Sequence, residues 1–527
     1  MTASPQVELP VDAPGEAMTV TRNLSTRYLA IAVEMVLGIL ILPFNVSHLG
    51  QSAYGLWILT TSITAYFSVL DLGYGGALVK FVAQYRAKRD WRGLNEILST
   101  TFYLFAGCGV LTYLVAIGIA LYLDRVLQLD ADQVRTGQII LLITALNVSL
   151  GTVFSVFGAV INGFQRYDIN NVTGTLCSVA VAVTNLAVLM TGFGLITLVA
   201  ATTTVRVLTY FIYRGNAYRV FPYLRLRPAY VRRSRFREVT SFSLYVFAID
   251  WARKLNYSID AIVIGIFMST SAVAIWSIGQ RLAEATQRFT NQLTDVLFPV
   301  VVDHDASSRL NRLQAVFTVG TRVSMAMVVP IATGLVIMAE PLVLAWVGPA
   351  FTESILILQL LTFTVAIRVG TAMAATVLKG AGGHRLMAGA NLATACANVI
   401  LSVMLIKGMG LKGVAIGTLV PVGIECLFVI YPAACRRVGL STMQAVSESI
   451  WPALWPAIPM ALYLFATRPL VKPSLIIVAA NLVAGGLVYA GVFFAFGLTV
   501  DERRFCFSRL SQGAARMRML LPSTGGA

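Results

Sequence analysis

The sequence predicts an all-α polytopic membrane protein of about fourteen transmembrane helices, from three observations. Of its 527 residues 57% are hydrophobic and only 12% charged, whereas soluble globular chains carry roughly 25% charged residues. Apolar runs of about 20 residues, the length that crosses a bilayer, recur from Tyr28 to Leu498. The segments between them are too short to hold a soluble domain.

Fourteen spans are read along the chain: 25–47, 53–78, 97–123, 136–161, 170–190, 194–213, 239–267, 272–298, 314–339, 353–378, 387–407, 411–432, 448–467 and 473–497. The seventh and eighth are the least apolar. Residues 1–24 read as a polar tail carrying Glu8, Asp12 and Glu16, without the basic start and apolar core of a secretory signal.

Orientation follows from where the positive residues fall. Arg22 and Arg27, Lys80 to Arg92, Arg166, the arginines of 214–238, Arg309 and Arg312, Lys379 and Arg385, Arg436 and Arg437, and the 498–527 tail share one side. The other side holds Arg125, Arg135, Lys407, Lys412, Arg468 and Lys472. Both termini and the 214–238 stretch are therefore expected to be cytoplasmic.

A weak internal repeat organises the spans. Ser52-Ala53-Tyr54-Gly55-Leu56-Trp57 returns as Ser271-Ala272-Val273-Ala274-Ile275-Trp276. Asn162-Gly163 is echoed by Lys379-Gly380, and Gly192-Phe193-Gly194-Leu195 by Gly408-Met409-Gly410-Leu411. The matches share an offset of roughly 217 residues, which predicts two six-span units. Six is even, so the units have the same orientation, as in parallel-repeat transporters with a substrate path between the halves. The expected division is a tail to 24, an N-terminal lobe at 25–213, a basic linker at 214–238 and a C-terminal lobe at 239–432. Two extra helices at 433–497 and a basic tail at 498–527 complete it.

Other classes fit poorly. A net charge of +16 could suggest nucleic acid, but the charges cluster beside helix ends, where anionic headgroups lie, and no nucleic-acid module is recognisable. The six cysteines, Cys108, Cys177, Cys396, Cys426, Cys435 and Cys506, form no CxxC and no metal-ligand spacing. No metal or cofactor is expected.

Ionisable residues inside spans cost roughly 2.5–3.5 kcal/mol each on insertion scales and usually mark function. In span seven, Asp250, Arg253, Lys254, Tyr257 and Asp260 share one helical face. In span eight, Arg281, Glu284, Arg288, Asn291 and Asp295 do the same. The first half is patterned alike, with Glu34 in span one and Trp57, Thr61, Thr64, Ser68 and Asp71 along span two. Arg206, Arg322 and Arg368 lie in later spans. Pairing at i,i+3 or i,i+4, or snorkelling to the headgroups, would account for individual members. As a set, Arg253, Lys254, Arg281, Arg288 and Arg368 outnumber Asp250, Asp260 and Glu284, which suits an anionic substrate, since guanidinium groups fork onto phosphate.

Leu49-Gly50, Tyr54-Gly55-Leu56-Trp57, Asp71-Leu72-Gly73 and Lys80-Phe81-Val82-Ala83 resemble the N-terminal signature of bacterial polysaccharide transporters. These are the O-antigen flippases of the multidrug/oligosaccharidyl-lipid/polysaccharide exporter superfamily. Gln165-Arg166-Tyr167-Asp168 is similar to a second family mark. Asn398, Gly410-Leu411 and Gly413-Val414-Ala415 are similar to its C-terminal Asn and Gly-x-x-Gly-Ala-Ala, with Val414 in place of the first Ala. The resemblance covers about residues 25 to 435 and implies two six-helix lobes forming a V, working by alternating access. Its implied substrate is a glycan linked to undecaprenyl diphosphate, moved across a bacterial inner membrane. The implied partners are that lipid-linked glycan, the surrounding lipids, and a polymerase or glycosyltransferases. Cation coupling, also implied, would give a role to Glu34, Asp71, Asp260 or Glu284.

Two readings within the superfamily compete. A multidrug/cation antiporter favours an acidic, aromatic cavity, against the surplus of arginine here, whereas a peptidoglycan-precursor flippase would want the same cationic cavity. A membrane glycosyltransferase would need a sizeable acidic loop or domain, and the longest loop, 214–238, is basic.

Overall fold

The computed structural model describes residues 16–67, 74–127, 129–236, 259–307, 309–498 and Arg503. Among these every regular element is helical, and eleven helices are long and apolar enough to cross a membrane. The chain is an all-α polytopic protein. The first of the eleven, Ser25–Phe67, contains the two spans expected at 25–47 and from 53. The seventh expected span lies mostly outside the described residues. The eighth is present as a 37-residue helix whose polar face keeps it out of the apolar set.

Contacts divide the chain into two compact units, Met1–Ala274 and Ile275–Ala527. Unit 1 begins with α1 (Glu16–Phe67), whose helical bonding continues through a break at Gly50. Gly50 has φ 76° and ψ 168°, which an L side chain rarely adopts, so glycine allows the bend that separates the two spans. After α2 (Tyr74–Ala87), Asp90 accepts a 2.8 Å bond from the Gly93 amide and caps α3 (Trp91–Leu121). The short α4 (Leu123–Val126) turns the chain into α5 (Ala131–Gly163), followed by α6 (Tyr167–Met190) and α7 (Leu195–Val220). A helical piece at 259–267, α8, leads into α9 (Thr270–Ala306), of which Thr270–Ala274 belong to unit 1 and the rest to unit 2.

α3, α5 and α7 pack together, with α2 against α3 and α5 and with α1 against α5 and α6. Leu78, Phe81, Val82, Ile97, Phe105, Val156, Val160 and Phe221 form the main core of unit 1. Outward faces carry exposed Leu114, Leu176 and Met190, an apolar exterior that suits lipid rather than water.

Unit 2 contains α10 (Leu310–Ile337), α11 (Ala339–Trp346), α12 (Ser354–Gly370), α13 (Ala372–Gly380), α14 (His384–Met409) and α15 (Leu411–Ile424). A π-helical stretch, Glu425–Ile430, joins α15 to α16 (Tyr431–Arg437). A second, Val446–Ile450, joins α17 (Thr442–Ala445) to α18 (Trp451–Leu454). α19 (Ala457–Thr467) and α20 (Leu475–Val492) pack on each other and on α10. Each of these two π stretches is followed by a proline, Pro432 or Pro452, in the first turn of the next helix, while a third, Phe493–Gly497 at the end of α20, is not. Proline cannot donate to the carbonyl four residues back, and a local π turn absorbs that register fault.

Candidate functional site

The glycines of the first signature have distinct structural tasks. Gly50 makes the bend in α1. A Cβ at Gly55 would overlap the backbone carbonyl of Thr270, so glycine is what lets α1 approach the start of α9. Around that contact Gln133 donates to Ser52 Oγ at 2.8 Å, Thr270 Oγ1 donates to Gln133 Oε1 at 3.3 Å, and the Ser52 and Thr270 hydroxyls lie 3.3 Å apart.

Gln165-Arg166-Tyr167-Asp168 forms the turn between α5 and α6. Gln165 has φ 63°, unusual for a residue other than glycine, and its carbonyl accepts from Asn23 Nδ2 at 3.2 Å. Asp168 pairs with Arg166 at 3.1 Å and with Arg22 at 3.3 Å, while its amide donates to Asn23 Oδ1. Asn171 adds a bond to Thr26 at 3.1 Å. One carboxylate thus ties the beginning of α1 to the α5–α6 turn.

The basic stretch after α7 is built into the same end of the unit. Asn95 Nδ2 donates to the Tyr223 carbonyl and Asn95 Oδ1 accepts from the Arg225 amide. Ser99 bridges the Arg225 carbonyl and the Arg227 amide, and Thr100 Oγ1 accepts from the Arg232 amide. Glu96, between these residues on α3, pairs with Arg92, Arg232 and Arg235, and Arg235 also donates to the Tyr85 hydroxyl. The α3 side chains pair the loop's backbone much as a neighbouring strand would.

Within the membrane part of unit 1, polar groups gather along α5, α6 and α7. Tyr210 donates to Asn147 Oδ1 at 3.0 Å. Asn170 donates to Asn162 Oδ1 at 2.7 Å and to the Gly158 carbonyl at 2.9 Å. Asn162, Asn170, Tyr210 and Tyr213 line a cavity of about 330 Å³. Asp260, on α8, is buried and interacts electrostatically with Tyr66 of α1.

Unit 2 carries a second intramembrane cluster. Glu425, the first residue of the π stretch, is 8% exposed, accepts a hydrogen bond from Thr394 of α14 and interacts with the half-buried Arg368 of α12. One helical turn along α14, Asn398 donates to Thr418 and accepts from Ser402. Gly413 and Gly417 of α15 leave no room for a Cβ against Leu405 and Ser402 of α14. The C-terminal signature is thus the contact face of α14 and α15. Arg322 of α10 donates twice to the Glu448 carbonyl, at 3.0 and 2.6 Å, and this is the carbonyl that Pro452 cannot reach.

The residues singled out from the sequence fall in several places. Arg253, Lys254 and Asp71 lie outside the described residues. Arg288 lies on α9, where its backbone alone is described. Arg281 is exposed on α9, and Glu284 accepts from Gln280 at 2.8 Å, which in turn accepts from Trp276. Glu34 is exposed on α1. Arg368 sits by an acid, Glu425, that the comparison of span charges left out, although a carboxylate inside the twelfth span was visible in the sequence.

The family model described as "Polysaccharide biosynthesis protein" matches residues 48–356. The chain is similar to "Probable flippase AglR" of Haloferax volcanii, 22% identical over 92% of this chain and 97% of that protein. It is also 24% identical to "Probable low-salt glycan biosynthesis flippase Agl15" of the same organism, over 30% of this chain and 34% of that one. Among solved structures, "Lipid II flippase MurJ, inward closed conformation" superposes with a TM-score of 0.68 at 12% identity, over 91% of this chain and 99% of that one. An inward-facing multidrug resistance MATE family transporter of the MOP superfamily gives 0.61 at 15% identity, over 78% and 98%. These superpositions show a shared polytopic fold. The family match extends over more than half of the sequence, and the chain belongs to the polysaccharide biosynthesis protein family.

Proposed function

We propose that this protein is a transporter that flips a lipid-linked glycan across a cell membrane. The observation that carries the reading is the near end-to-end similarity to a probable flippase, over 92% of this chain, in a protein of this family and fold. The substrate class is a glycan carried on a polyprenyl diphosphate, moved by alternating access from the cytoplasmic to the outer leaflet of a bacterial inner membrane. Both termini and the basic 214–238 stretch face the cytoplasm in this reading, which the position of the arginines supports.

Arg253, Lys254, Arg281, Arg288 and Arg368 are proposed to screen the diphosphate as it crosses the low-dielectric midplane. A guanidinium keeps its charge when partly desolvated and can bond two phosphate oxygens at once. Glu34, Asp71, Asp260 and Glu284 are the proposed acids for coupling to a cation, and Glu425 joins them through its burial beside Arg368. A polymerase or glycosyltransferases would supply and consume the lipid-linked glycan.

Depleting the protein in its native cell tests the reading. Lipid-linked glycan should accumulate on the cytoplasmic leaflet, shielded from an added membrane-impermeant galactose oxidase or lectin. Unchanged surface glycan together with lost resistance to cationic drugs would favour an antiporter instead.

A further inference from the structure

Two cavities meet at the end of α3 that lies opposite the basic segment, roughly 45 Å along the helix from Trp91. The first, about 620 Å³, is walled by apolar side chains of α1, α3 and α8, among them Ile63, Phe67, Ile119 and Ile262. Tyr122 and Val126 on its rim are 56% and 54% exposed, so it opens on the apolar exterior. The second, about 910 Å³, is polar and lined by Ser52, Asp124, Arg125, Asp130, Gln133 and Thr270. Val126 and Leu127 belong to both walls. Both cavities lie wholly within unit 1.

The seam between them carries one cation. Arg125 lies over the Tyr122 ring, 5.5 Å from its centroid, with Tyr122 facing the apolar cavity and Arg125 the polar one. An apolar cavity open to lipid, a cation at its mouth and a polar cavity beyond it match an amphiphile in order: chain, phosphate, polar head. An ordinary phospholipid fits the first two parts only. The polar cavity is large for a simple headgroup. Its Asp124 and Asp130 carboxylates would repel phosphate beyond the linkage held at Arg125, but with Gln133, Ser52 and Thr270 they can bond the hydroxyls of a sugar.

We propose that the adjoining cavities of unit 1 form a binding site for a polyprenyl-phosphate-linked sugar, with Arg125 at the phosphate and Gln133, Asp124 and Asp130 at the sugar. The proposal rests on the flippase reading and deepens it: the site lies at the end of α3 away from the basic loops, where the lipid would dwell once flipped.

The test uses the full-length protein in nanodiscs and a diazirine-bearing polyprenyl-diphosphate N-acetylglucosamine, with a diazirine-bearing phosphatidylglycerol as control. Labelled peptides are mapped by mass spectrometry. Label in the 115–127 region should be about tenfold higher for the sugar lipid than for the phospholipid, the ratio that one hydrogen bond from a sugar hydroxyl to a carboxylate supports. Gly118 lines the apolar cavity and a Cβ there meets nothing within 4 Å, so Gly118→Leu should place its side chain in that cavity. That variant should lose about tenfold of the label at unchanged melting temperature; Arg125→Ala should lower labelling by both lipids, and Asp124→Ala with Asp130→Ala should erase the preference for the sugar lipid. Equal labelling by both lipids, or full labelling of a stable Gly118→Leu protein, overturns the proposal. Flipping by the same preparation is measured in parallel. Flipping without site-specific label defeats this site alone; site-specific label without flipping defeats the flippase reading and leaves the site.

Discussion

The water-facing end of unit 1 and the membrane interior of unit 2 treat charge in different ways. At the end of unit 1, two carboxylates, Asp168 and Glu96, each gather more than one arginine and hold separate pieces of chain together. Inside unit 2, Arg322 bonds a backbone carbonyl freed by a proline, and Glu425 stands at a π turn beside Thr394 and Arg368. The first arrangement braces a loop where water is at hand. The second places charge where the helix itself is irregular, and backbone carbonyls and hydroxyls serve there as its partners. Charge at the rim therefore reads as scaffold, and charge at a helix fault is held by the irregular backbone and its neighbours.

Substitutions can break that comparison in order of expected effect. Gly55→Ala should be the most damaging, because the new Cβ meets the Thr270 carbonyl and α1 must shift. A loss of about 3 kcal/mol, read as a collapse of the monodisperse peak in detergent, is expected. Asp168→Ala leaves Arg22 and Arg166 without their shared carboxylate and should cost about 2–3 kcal/mol. Its melting temperature should fall clearly, with Asp168→Asn in between. If Asp168→Ala melts like the parent protein, the clasp is not a brace. Arg322→Met uncovers the Glu448 carbonyl and should cost about 1–2 kcal/mol. Restoring a donor with Pro452→Ala in the same chain should recover most of that loss, and no recovery would mean that the proline and the arginine are unrelated. Glu96→Gln should have the smallest effect on stability, about 1 kcal/mol, since two of its three arginine partners, Arg92 and Arg232, are more than half exposed. It should nonetheless speed trypsin cleavage at Arg232 and Arg233, and an unchanged cleavage rate would show that the α3 backbone bonds alone hold the segment.

Much of the fold was legible because burial in lipid leaves a plain signal. Long apolar runs gave most of the spans, and the glycines at 50 and 55 stood out as a motif before the structure showed a bend at one and a backbone contact at the other. The α14–α15 contact face was visible in the same way, as Asn398 with Gly410 and Gly413. Other features left no such trace. Asn95, Ser99 and Thr100 read as an ordinary polar helix start, since nothing in their spacing reveals that a loop over a hundred residues away supplies their partners. The π turn at Glu425 is hidden because an i→i+5 bond does not change the apolar pattern around it. Arg322 reads as a snorkelling side chain until Pro452 is seen to free the carbonyl that it bonds.

The most direct measurement is transport by the purified protein in proteoliposomes loaded with a fluorescent polyprenyl-diphosphate oligosaccharide, its headgroup quenched from outside by dithionite. The wild-type protein should expose the label of the inner leaflet within minutes. Arg281→Ala should slow that exposure at least tenfold in protein that still reconstitutes, and Arg281→Lys should keep part of the rate, since charge survives while the fork is lost. Inner-leaflet label that stays protected with the wild-type protein, at the level of empty liposomes, would contradict the account.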